Sequence, residues 1–513
     1  MKKLFPLLLL ATTVLADVPL KNEGVSVGNV ITLDCVGSAI NCTRTLSTGT
    51  ITVTASAETT ADLVLYVDPL GSDSNACTST GASACLTIQG ALNKSPRFLK
   101  HRVTVNVAAG NYAGFLVSGF AVDASTQKAT AGILIDGVLA NVTPATGTAT
   151  GTATGGTAGS TTTFGTLTDS GQGWTTNNLR GRLVSITGGT GSGQVKVITA
   201  NTSTSLTIAG TWTAPVAASS TYAIQAPAAI VTSTTALVPT PIGATAIEAA
   251  GIQIANNVMS GGGAGTASGA ITIRNLAVSV GASTGLISTG THGVNLLQTS
   301  ITSAGLKLQN GSRMTMTTGT VVSSGVAVNM TLGAQLLALQ SYINSSSVGM
   351  LASTGSSLAS TSNQVLVAGA QSDCVAVGFG GTGTATSTRC DCQSAALSGG
   401  VVAGNAMVPT APQLFSTIAV ANGLDVTNCT FAAAAENGTV TFGQTATLSG
   451  NSLTATAYAN NNGVIFLPSA ITITTAGNDI SVDDGAITST YAALLGIYSC
   501  VASLATGSRV CRL

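Results

Sequence analysis

The stretch ITIRNLAVSVGASTGLISTGTHGVNLLQTSITSAGLKLQNGSRMTMTTGTVV, residues 271–322, decides the fold. Short β-prone segments alternate apolar with polar residues and end in turns rich in Gly, Ser, Thr and Asn. The pattern continues to residue 380, and segment starts recur at Ile271, Val294, Met314, Leu336 and Leu358, with steps of 23, 20, 22 and 22 residues. A second series starts at Gly285, Gly305, Gly325, Gly349 and Cys374, with steps of 20, 20, 24 and 25 residues. Two series with one period predict stacked coils around a continuous apolar core, which is a parallel β-helix.

The composition agrees with such a rod and limits its partners. Only 7% of the 513 residues are charged, with 18 Lys and Arg against 18 Asp and Glu, so a nucleic-acid partner is not expected. The chain is 44% hydrophobic but only 4% aromatic, and it has 61 glycines. These values favour many small layers of Val, Ile, Leu and Ala, and they are unusual for a globular α/β enzyme.

The N-terminus has the features of a secretory signal. Residues 1–16, MKKLFPLLLLATTVLA, have a basic start, an apolar run, and small residues before a cleavage site expected after Ala16. The MKKLF start is typical of bacteria, and no later run reaches the roughly 18 apolar residues of a spanning helix. We therefore expect a secreted bacterial chain without a membrane span, located outside the cell, on its surface or in the periplasm.

Ten cysteines agree with an oxidising compartment. Three pairs lie close in sequence and are predicted to form local disulfides: Cys35 with Cys42, Cys77 with Cys85, and Cys500 with Cys511. The sequence leaves open how Cys374, Cys390, Cys392 and Cys429 pair. A metal site is not expected, because the Cys-Asp-Cys run at 390–392 lacks the usual two-residue gap and no histidine is nearby. No cofactor is expected either.

Residues 65–112 contain a YVDP strand, a GSDSN loop, a TIQGALN helix and a VTVNVAAGNY strand. In order and spacing they resemble the start of the pectate-lyase-like right-handed parallel β-helix superfamily. The resemblance implies that a helix between Thr87 and Pro96 covers the open end of the first coil. An apolar helix face formed by Ile88, Ala91 and Leu92 suits that role.

Residues 25–55, VSVGNVITLDCVGSAINCTRTLSTGTITVTA, alternate in the manner of a small antiparallel module. They resemble short β-modules of phage tail-fibre and virion proteins. Because the chain also begins with a secretory signal, we interpret it as a bacterial surface protein that shares tail-fibre modules. Related tail-fibre-like β-helices are often trimers, so the resemblance implies a homotrimer.

The composition of the sequence changes after Asn141. The run TPATGTATGTATGGTAGSTTT predicts an exposed linker, and residues 164–225 predict a compact antiparallel insert that resembles small β-modules of β-helix surface proteins. The insert contains both tryptophans of the chain, Trp174 and Trp212. They are candidate ligand-binding residues, because their rings could stack on sugars. The alternative, which we favour, is that they form the core of the insert.

The dense basic cluster beside the expected cap helix is a second candidate for ligand binding. It consists of Lys94, Arg97, Lys100 and Arg102, with His101 among them. Such a cluster suits an anionic polysaccharide or a lipid headgroup, and a solvated helix end is the alternative. Two acidic groups are interpreted as turns rather than cation sites: Asp68, Asp73 and Asn75, and Asp479, Asp483 and Asp484.

These features predict an all-β chain: a right-handed parallel β-helix with an N-terminal cap helix, an inserted small β-module and β-rich flanking modules. The expected segments are a signal peptide (1–16), an N-terminal β-module (17–60), the cap and first coils (61–145), the linker and inserted module (146–225), the main coils (226–430), and a C-terminal β-module or last coils (431–513). A short helical segment from Thr490 is expected to close the chain.

Catalysis is not expected on the coils. Polysaccharide hydrolases need converging carboxylates, and lyases of the family use calcium-binding Asp clusters with a basic residue, but Glu248 is the only acid between residues 226 and 372. His292 has no acid near it in sequence. We expect a secreted, non-catalytic surface protein whose stiff β-helix presents adhesive modules for glycan or cell-surface binding. The alternatives are a polysaccharide lyase or glycoside hydrolase that uses Asp136, Asp169 or Asp373, and a passive envelope or matrix component.

Overall fold

The computed structural model describes residues 40–44, 51–55, 58–122, 131–160, 163–235, 249–258, 270–368, 371–392, 397–404, 416–436, 438–442, 447–460, 464–467, 472–476, 479–483, 486–489, 499–502 and 509–512. The predicted signal peptide and Cys35 lie outside these residues. The chain divides into two units, residues 1–56 and 57–513. In the first, Ile40–Arg44 and Ile51–Ala55 pair as antiparallel strands.

The second unit is built on a parallel β-helix with three faces, which we name A, B and C in chain order. Face A consists of Leu63–Val67, Arg102–Val107, Gly132–Asp136, Ala270–Arg274, Val294–Leu297, Arg313–Thr317, Gln335–Leu339, Ser357–Thr361, Gly438–Phe442, Val464–Leu467 and Ala486–Ser489. Each strand between the first and the last pairs in parallel with strands of the coils before and after it. Every backbone edge within the stack is therefore covered by a neighbouring coil.

Faces B and C follow the same rule. Face B consists of Gly110–Tyr112, Ala229–Val231, Leu276–Val278, Ser300–Ser303, Thr320–Ser323, Tyr342–Ser345, Gln364–Val367 and Thr472–Ala476. Face C consists of Phe115–Ser118, Ala250–Ala255, Thr284–Thr289, Leu306–Gln309, Val328–Met330, Met350–Ala352, Gln371–Val377, Leu397–Gly404 and Asp479–Asp483. Three long strands turn corners: Thr382–Cys392 joins faces A and B, Ser416–Glu436 crosses all three, and Thr447–Asn460 joins B and C.

The strand register confirms the first predicted series. Ile271, Val294, Met314, Leu336 and Leu358 are aligned one above the other on face A. The second series contains one error. On face C the register aligns Leu306 with Val328 and Val328 with Met350, so the residue preceding each is Gly305, Ala327 and Gly349. The prediction chose Gly325 because it followed glycines, whereas the register follows the buried strand residues.

Sharp bends recur at equivalent positions in successive coils. Between faces A and B, one residue per coil has positive φ: Asn275, Gln298, Thr318, Gln340, Ser362 and Ser387. Between faces C and A, two consecutive residues have positive φ. These pairs are Asn310-Gly311, Leu332-Gly333, Thr354-Gly355 and Phe379-Gly380. Left-handed backbone is costly for most residues, so the glycine in each pair reduces the strain of the bend. Equal bends allow the coils to superimpose.

The interior of the helix is apolar with a few satisfied polar groups. Strand residues that point inward, among them Ile271, Val294 and Leu336, form one continuous core. Asn363 is fully buried at the corner between faces A and B. Its side-chain oxygen accepts a hydrogen bond from the Ser341 backbone N–H at 2.8 Å, and its amide nitrogen donates to Ala338 O at 2.9 Å. The buried amide therefore has partners for both its oxygen and its nitrogen.

The predicted cap helix is present at Ile88–Lys94, after a 3-10 turn at Gly81–Ser83. The Thr87 hydroxyl caps the helix by accepting a hydrogen bond from Gly90 N at 2.9 Å. Asp73 braces this start, because its carboxylate accepts hydrogen bonds from the backbone N–H groups of Leu86 and Thr87. The loop before the helix is closed by the predicted Cys77–Cys85 disulfide. No helix in the described parts of the chain is long and apolar enough to cross a membrane.

The inserted module leaves the β-helix between face A and face B of an early coil. Its antiparallel strands are Leu139–Asn141, Thr150–Thr152, Gly155–Thr157, Thr166–Thr168, Leu183–Gly188, Val195–Asn201, Ser205–Ile208 and Thr221–Pro227. The Thr/Gly-rich run is therefore not a linker. Thr150–Thr152 pairs with Thr221–Pro227, and Gly155–Thr157 pairs with Thr166–Thr168. Cross-strand hydrogen bonding, which the run's composition does not reveal, makes these residues part of the module.

The module packs against the outside of face B several coils further along. Leu183, Val197 and Ala209 of the module form one cluster with Tyr342 and Leu366, which point outward from face B. The Arg389 guanidinium also lies 4.1 Å from the centre of the Phe164 ring. Face B is thus covered where it meets the module.

The coils continue beyond the predicted boundary at residue 430. Parallel pairing runs through Thr472–Ala476 and Asp479–Asp483 to Ala486–Ser489, so the described C-terminal residues form last coils rather than a separate module. Ser499–Ala502 and Arg509–Arg512 then pair as antiparallel strands, whereas the expected helical start at Thr490 lies outside the described residues. The backbone register sets Cys500 opposite Cys511, as their predicted disulfide requires.

Candidate functional site

The two tryptophans are buried in the core of the module. Trp174 is 2% exposed and Trp212 is 3% exposed. Each indole N–H donates a hydrogen bond of 3.0 Å to a backbone carbonyl, of Thr148 and Thr166 respectively. The Trp174 ring also meets Tyr222 edge to face, with 6.2 Å between ring centres. Burial leaves neither ring a face for stacking on a sugar, and it favours the interpretation that both are core residues.

The basic cluster beside the cap helix does not form one surface. The Lys94 ammonium donates to the Asp73 backbone carbonyl at 2.9 Å, and Lys100 pairs with Glu58 at 2.5 Å. The Arg97 guanidinium lies 4.3 Å from the centre of the Phe120 ring, and burial lowers its pKa. Local contacts therefore occupy three of the four predicted side chains, which favours the structural alternative for them. Arg102 lines a depression on face A.

This depression is the candidate functional site, and we call it the face-A depression. It is formed by the outward side of successive strands on early coils. Its lining residues are Arg102, Gly132, Ile133, Leu134, Thr272, Arg274, Asn295, Leu297, Thr315 and Thr317. Alternation along each strand explains the set apart from Ile133, since Ile271 and Val294 point inward while their neighbours point outward. Ile133 is aligned with Ile271 and belongs to the core. The surface offers guanidinium, amide and hydroxyl groups beside aliphatic side chains.

One ion pair organises the depression. The Arg274 guanidinium donates two hydrogen bonds to the Asp136 carboxylate, one of them 2.9 Å long from Nε to Oδ1. Asn275 donates a third to Asp136 at 3.1 Å. The hydrogen bond to Asp136 raises the pKa of Arg274, and partial burial opposes that shift. Because the Arg274 side chain remains 41% exposed, its outer edge is accessible to a ligand.

The sequence contained a signal for this pair that the prediction missed. Strand GILID, Gly132–Asp136, pairs residue for residue with AITIR, Ala270–Arg274, so the last residues of the two strands meet. The insert separates them by 138 positions. Aligning Ile133 with Ile271, by the same period that aligns the later coils, places the acid directly opposite the base.

The three candidate catalytic acids have different partners in different parts of the unit. Asp136 is paired with Arg274, whereas Asp169 is buried in the module and accepts a 2.7 Å hydrogen bond from the Tyr222 hydroxyl. Asp373 is buried at the start of a face-C strand. His292 is exposed in its turn. The structure thus gives no described contact that joins these acids into a catalytic pair.

The structure supports the turn interpretation for the first of the two acidic groups but not for the second. Asp68 accepts a hydrogen bond from the Leu70 backbone at 2.9 Å, and Asn75 donates to the carbonyls of Ala82 and Ala84 at 2.8 Å. With the bonds of Asp73 to the helix start, these contacts support the turn interpretation for the first group. In the second group, Asp479 and Asp483 belong to a strand rather than a turn, and Asp484 lies outside the described residues.

Comparison with solved structures found proteins of low sequence identity that cover most of the chain. The Pseudomonas phage phi297 tailspike gp61 is 11% identical over 76% of this chain and 72% of its own, with a TM-score of 0.24. The Gp54 tailspike of Acinetobacter baumannii bacteriophage AP22, solved with A. baumannii capsular saccharide, is 10% identical over 76% and 65%, with a TM-score of 0.22. XylC in complex with xylose is 9% identical over 82% and 71%, with a TM-score of 0.25. No family model and no curated protein sequence matches the chain.

Proposed function

We propose that this chain is an exported, non-catalytic surface protein that binds glycan through the face-A depression. The observation that supports this most directly is the Arg274–Asp136 pair, set among outward amide and hydroxyl groups. Along the face-A strands from Ala270 to Thr361, Arg274 and Arg313 are the only charged residues. A ligand that recognises charge has few other places to bind on these strands.

The chemistry of the depression suits a sugar with a carboxylate. A guanidinium presents several N–H donors in a planar fork, which fits the two oxygens of a carboxylate. Arg102 and the exposed edge of Arg274 supply positive charge, while Asn295 and Thr317 supply partners for hydroxyl groups. Leu134 and Leu297 supply apolar contacts for the carbon-bearing face of a ring. An acidic oligosaccharide is therefore the proposed ligand class.

The proposal changes which part of the molecule binds. The inserted module was expected to be adhesive, but it buries its tryptophans and packs on face B. In the proposed arrangement the module has a structural role and the coils bind. Several copies on one cell or in one oligomer would raise the apparent affinity of a weak site. A homotrimer stays a prediction, which light scattering of the purified chain would test.

The experiment is a binding screen followed by matched variants. The purified exported chain is applied to an array of neutral and acidic oligosaccharides, and any ligand is titrated by calorimetry. We expect an acidic glycan to bind, with at least tenfold weaker affinity for Arg274→Ala. Arg313→Ala is the control, because Arg313 is an exposed arginine on the same face but outside the depression.

Three outcomes would overturn the proposal. Retention of no glycan would favour a passive envelope or matrix component. Equal losses for Arg274→Ala and Arg313→Ala would indicate unspecific charge attraction. Release of reducing ends or unsaturated sugars from the bound glycan would indicate a lyase or hydrolase, and the variants Asp136→Asn, Asp169→Asn and Asp373→Asn would then be assayed for the loss of that activity.

A further inference from the structure

Four cysteines from successive coils meet inside the β-helix near the corner between faces B and C. Cys392 and Cys429 form a disulfide with Cα atoms 4.9 Å apart. The Cys374 sulfur lies within 4.8 Å of both sulfurs of that bridge. Cys390 is buried beside Cys374, whose thiol donates a hydrogen bond of 3.7 Å to the Val365 carbonyl oxygen. These are the four cysteines whose pairing the sequence leaves open.

The repeat explains why Cys374 and Cys390 are neighbours. In two earlier coils the equivalent position of face C holds a glycine that faces a β-branched residue of face B, 16 residues later in sequence. A Cβ added to Gly285 would lie 2.4 Å from Ile301 Cγ2, and one added to Gly349 would lie 2.3 Å from Val365 Cγ1. Cys374 follows Gly349 at this position, as the pairing of Met350 with Val375 shows.

The same alignment places Cys390 in the face-B position. Val365 pairs directly with Cys390. The glycine and β-branched pair of the earlier coils is therefore replaced by two cysteines with the same 16-residue spacing. In those two coils a Cβ added to the glycine would overlap the γ-carbon across the core. Such proximity is what a disulfide needs.

We propose that Cys374 and Cys390 form a second core disulfide, which together with Cys392–Cys429 links three successive coils covalently. The existing bridge joins Thr382–Cys392 to Ser416–Glu436. The proposed bridge joins Gln371–Val377 to Thr382–Cys392, one coil earlier. Two thiols lose two protons and two electrons as the sulfur–sulfur bond forms, and the disulfide of a protein thiol oxidase in the exporting compartment accepts both.

The surroundings of the thiols indicate when the bridge forms. Burial, with the neighbouring Cys390, raises the pKa of the Cys374 thiol well above its ordinary value. A buried neutral thiol is a poor nucleophile, so the bridge forms before the coil closes over it. Once enclosed, it is shielded from dissolved reductants.

The test is a map of thiols in the full chain, isolated from an oxidising compartment. The protein is denatured in the presence of an alkylating reagent, digested without reduction, and analysed by mass spectrometry. We expect Cys374 linked to Cys390, and Cys392 linked to Cys429. Alkylated Cys374 and Cys390 would overturn the proposal, and so would a link from Cys374 to Cys392 or Cys429. One equivalent of bound zinc with four alkylated thiols would overturn it in favour of a metal site.

A second variant separates the bridge from packing. Cys374→Gly combined with Cys390→Val recreates the pair found at Gly349 and Val365 of the previous coil. We expect this variant to fold with a Tm a few degrees below that of the parent chain under oxidising conditions. The difference should vanish when both proteins are unfolded in the presence of a reductant. A difference that persists after reduction would show that packing, not a bridge, is responsible.

Discussion

The Lys196 ammonium donates a hydrogen bond of 2.6 Å to the Gln340 side chain, across 144 residues of sequence. The bond joins the inserted module to the corner of a coil that follows much later in the chain. Lys196 is only 8% exposed, and burial lowers its pKa. An ammonium that loses water in this way requires a fixed partner, which indicates that the module is docked in one position on the rod.

Removing an apolar contact of this docking should loosen the module. Leu366 points outward from face B but is 2% exposed, because the module covers it. We expect Leu366→Ala to lower the free energy of unfolding by about 2–4 kcal/mol through the cavity it leaves. Limited proteolysis should also cut the module faster, and urea unfolding gives the stability. Leu337→Ala is the matched control, since Leu337 points outward from face A and is only half-buried. Equal losses would contradict the docking.

Gly349 should not tolerate a side chain. A Cβ there would lie 2.3 Å from Val365 Cγ1 and 2.6 Å from the Cys374 carbonyl oxygen. We expect Gly349→Ala to cost about 1–3 kcal/mol, because the core must shift to accept the methyl group. Gly325→Ala serves for comparison, since nothing lies within 4 Å of its added Cβ. Differential scanning calorimetry of both variants tests this prediction. Similar Tm values for the two variants would refute it.

The protein should lose stability at alkaline pH through buried tyrosines. Burial, and then the charge of Asp68, raises the pKa of Tyr112 from 10.0 to about 12. Below pH 10 the phenol is neutral in both the folded and the unfolded chain, and its contribution is fully present. Between pH 10 and about pH 12 the unfolded phenol ionises while the folded one keeps its proton, so the free energy of unfolding falls as pH rises.

Urea unfolding at several pH values, with absorbance of tyrosinate as the second readout, tests this prediction. Tyr112→Phe should flatten the alkaline decline, although it also removes the 2.9 Å hydrogen bond from the hydroxyl to Ala108 O. Tyr222 contributes in the same direction, because burial and its bond to Asp169 also raise its pKa. A stability that stays constant across the window would exclude both effects.

Periodicity was enough to predict the coils, because inward residues must recur where a strand stacks on its neighbour. Ile271, Val294 and Met314 show this, since the sequence spacing alone placed them in register. The cap helix could also be predicted from the sequence, because Thr87 can cap it and one of its faces is apolar. Gly325 was assigned wrongly because a glycine can mark a turn without marking the same point in each coil.

The candidate site was harder to predict because it depends on contacts between distant residues. Asp136 and Arg274 meet only after the whole module has been looped out between them. Trp174 and Trp212 drew attention as rare aromatic residues, although a small module needs large side chains for its own core. Composition also misled the interpretation of the Thr/Gly-rich run. Its strands are held by backbone pairing, which short polar side chains permit but do not specify.

The position of the module on face B has a consequence for how the chain is made. The module has a core of its own, so it can fold soon after it is synthesised. The coils that it covers, including Tyr342 and Leu366, are added more than a hundred residues later. During that interval the apolar side chains of Leu183 and Val197 have no face-B residues to pack against. The nascent protein therefore passes through a stage in which apolar surface is exposed, and the speed of elongation sets how long aggregation competes with docking.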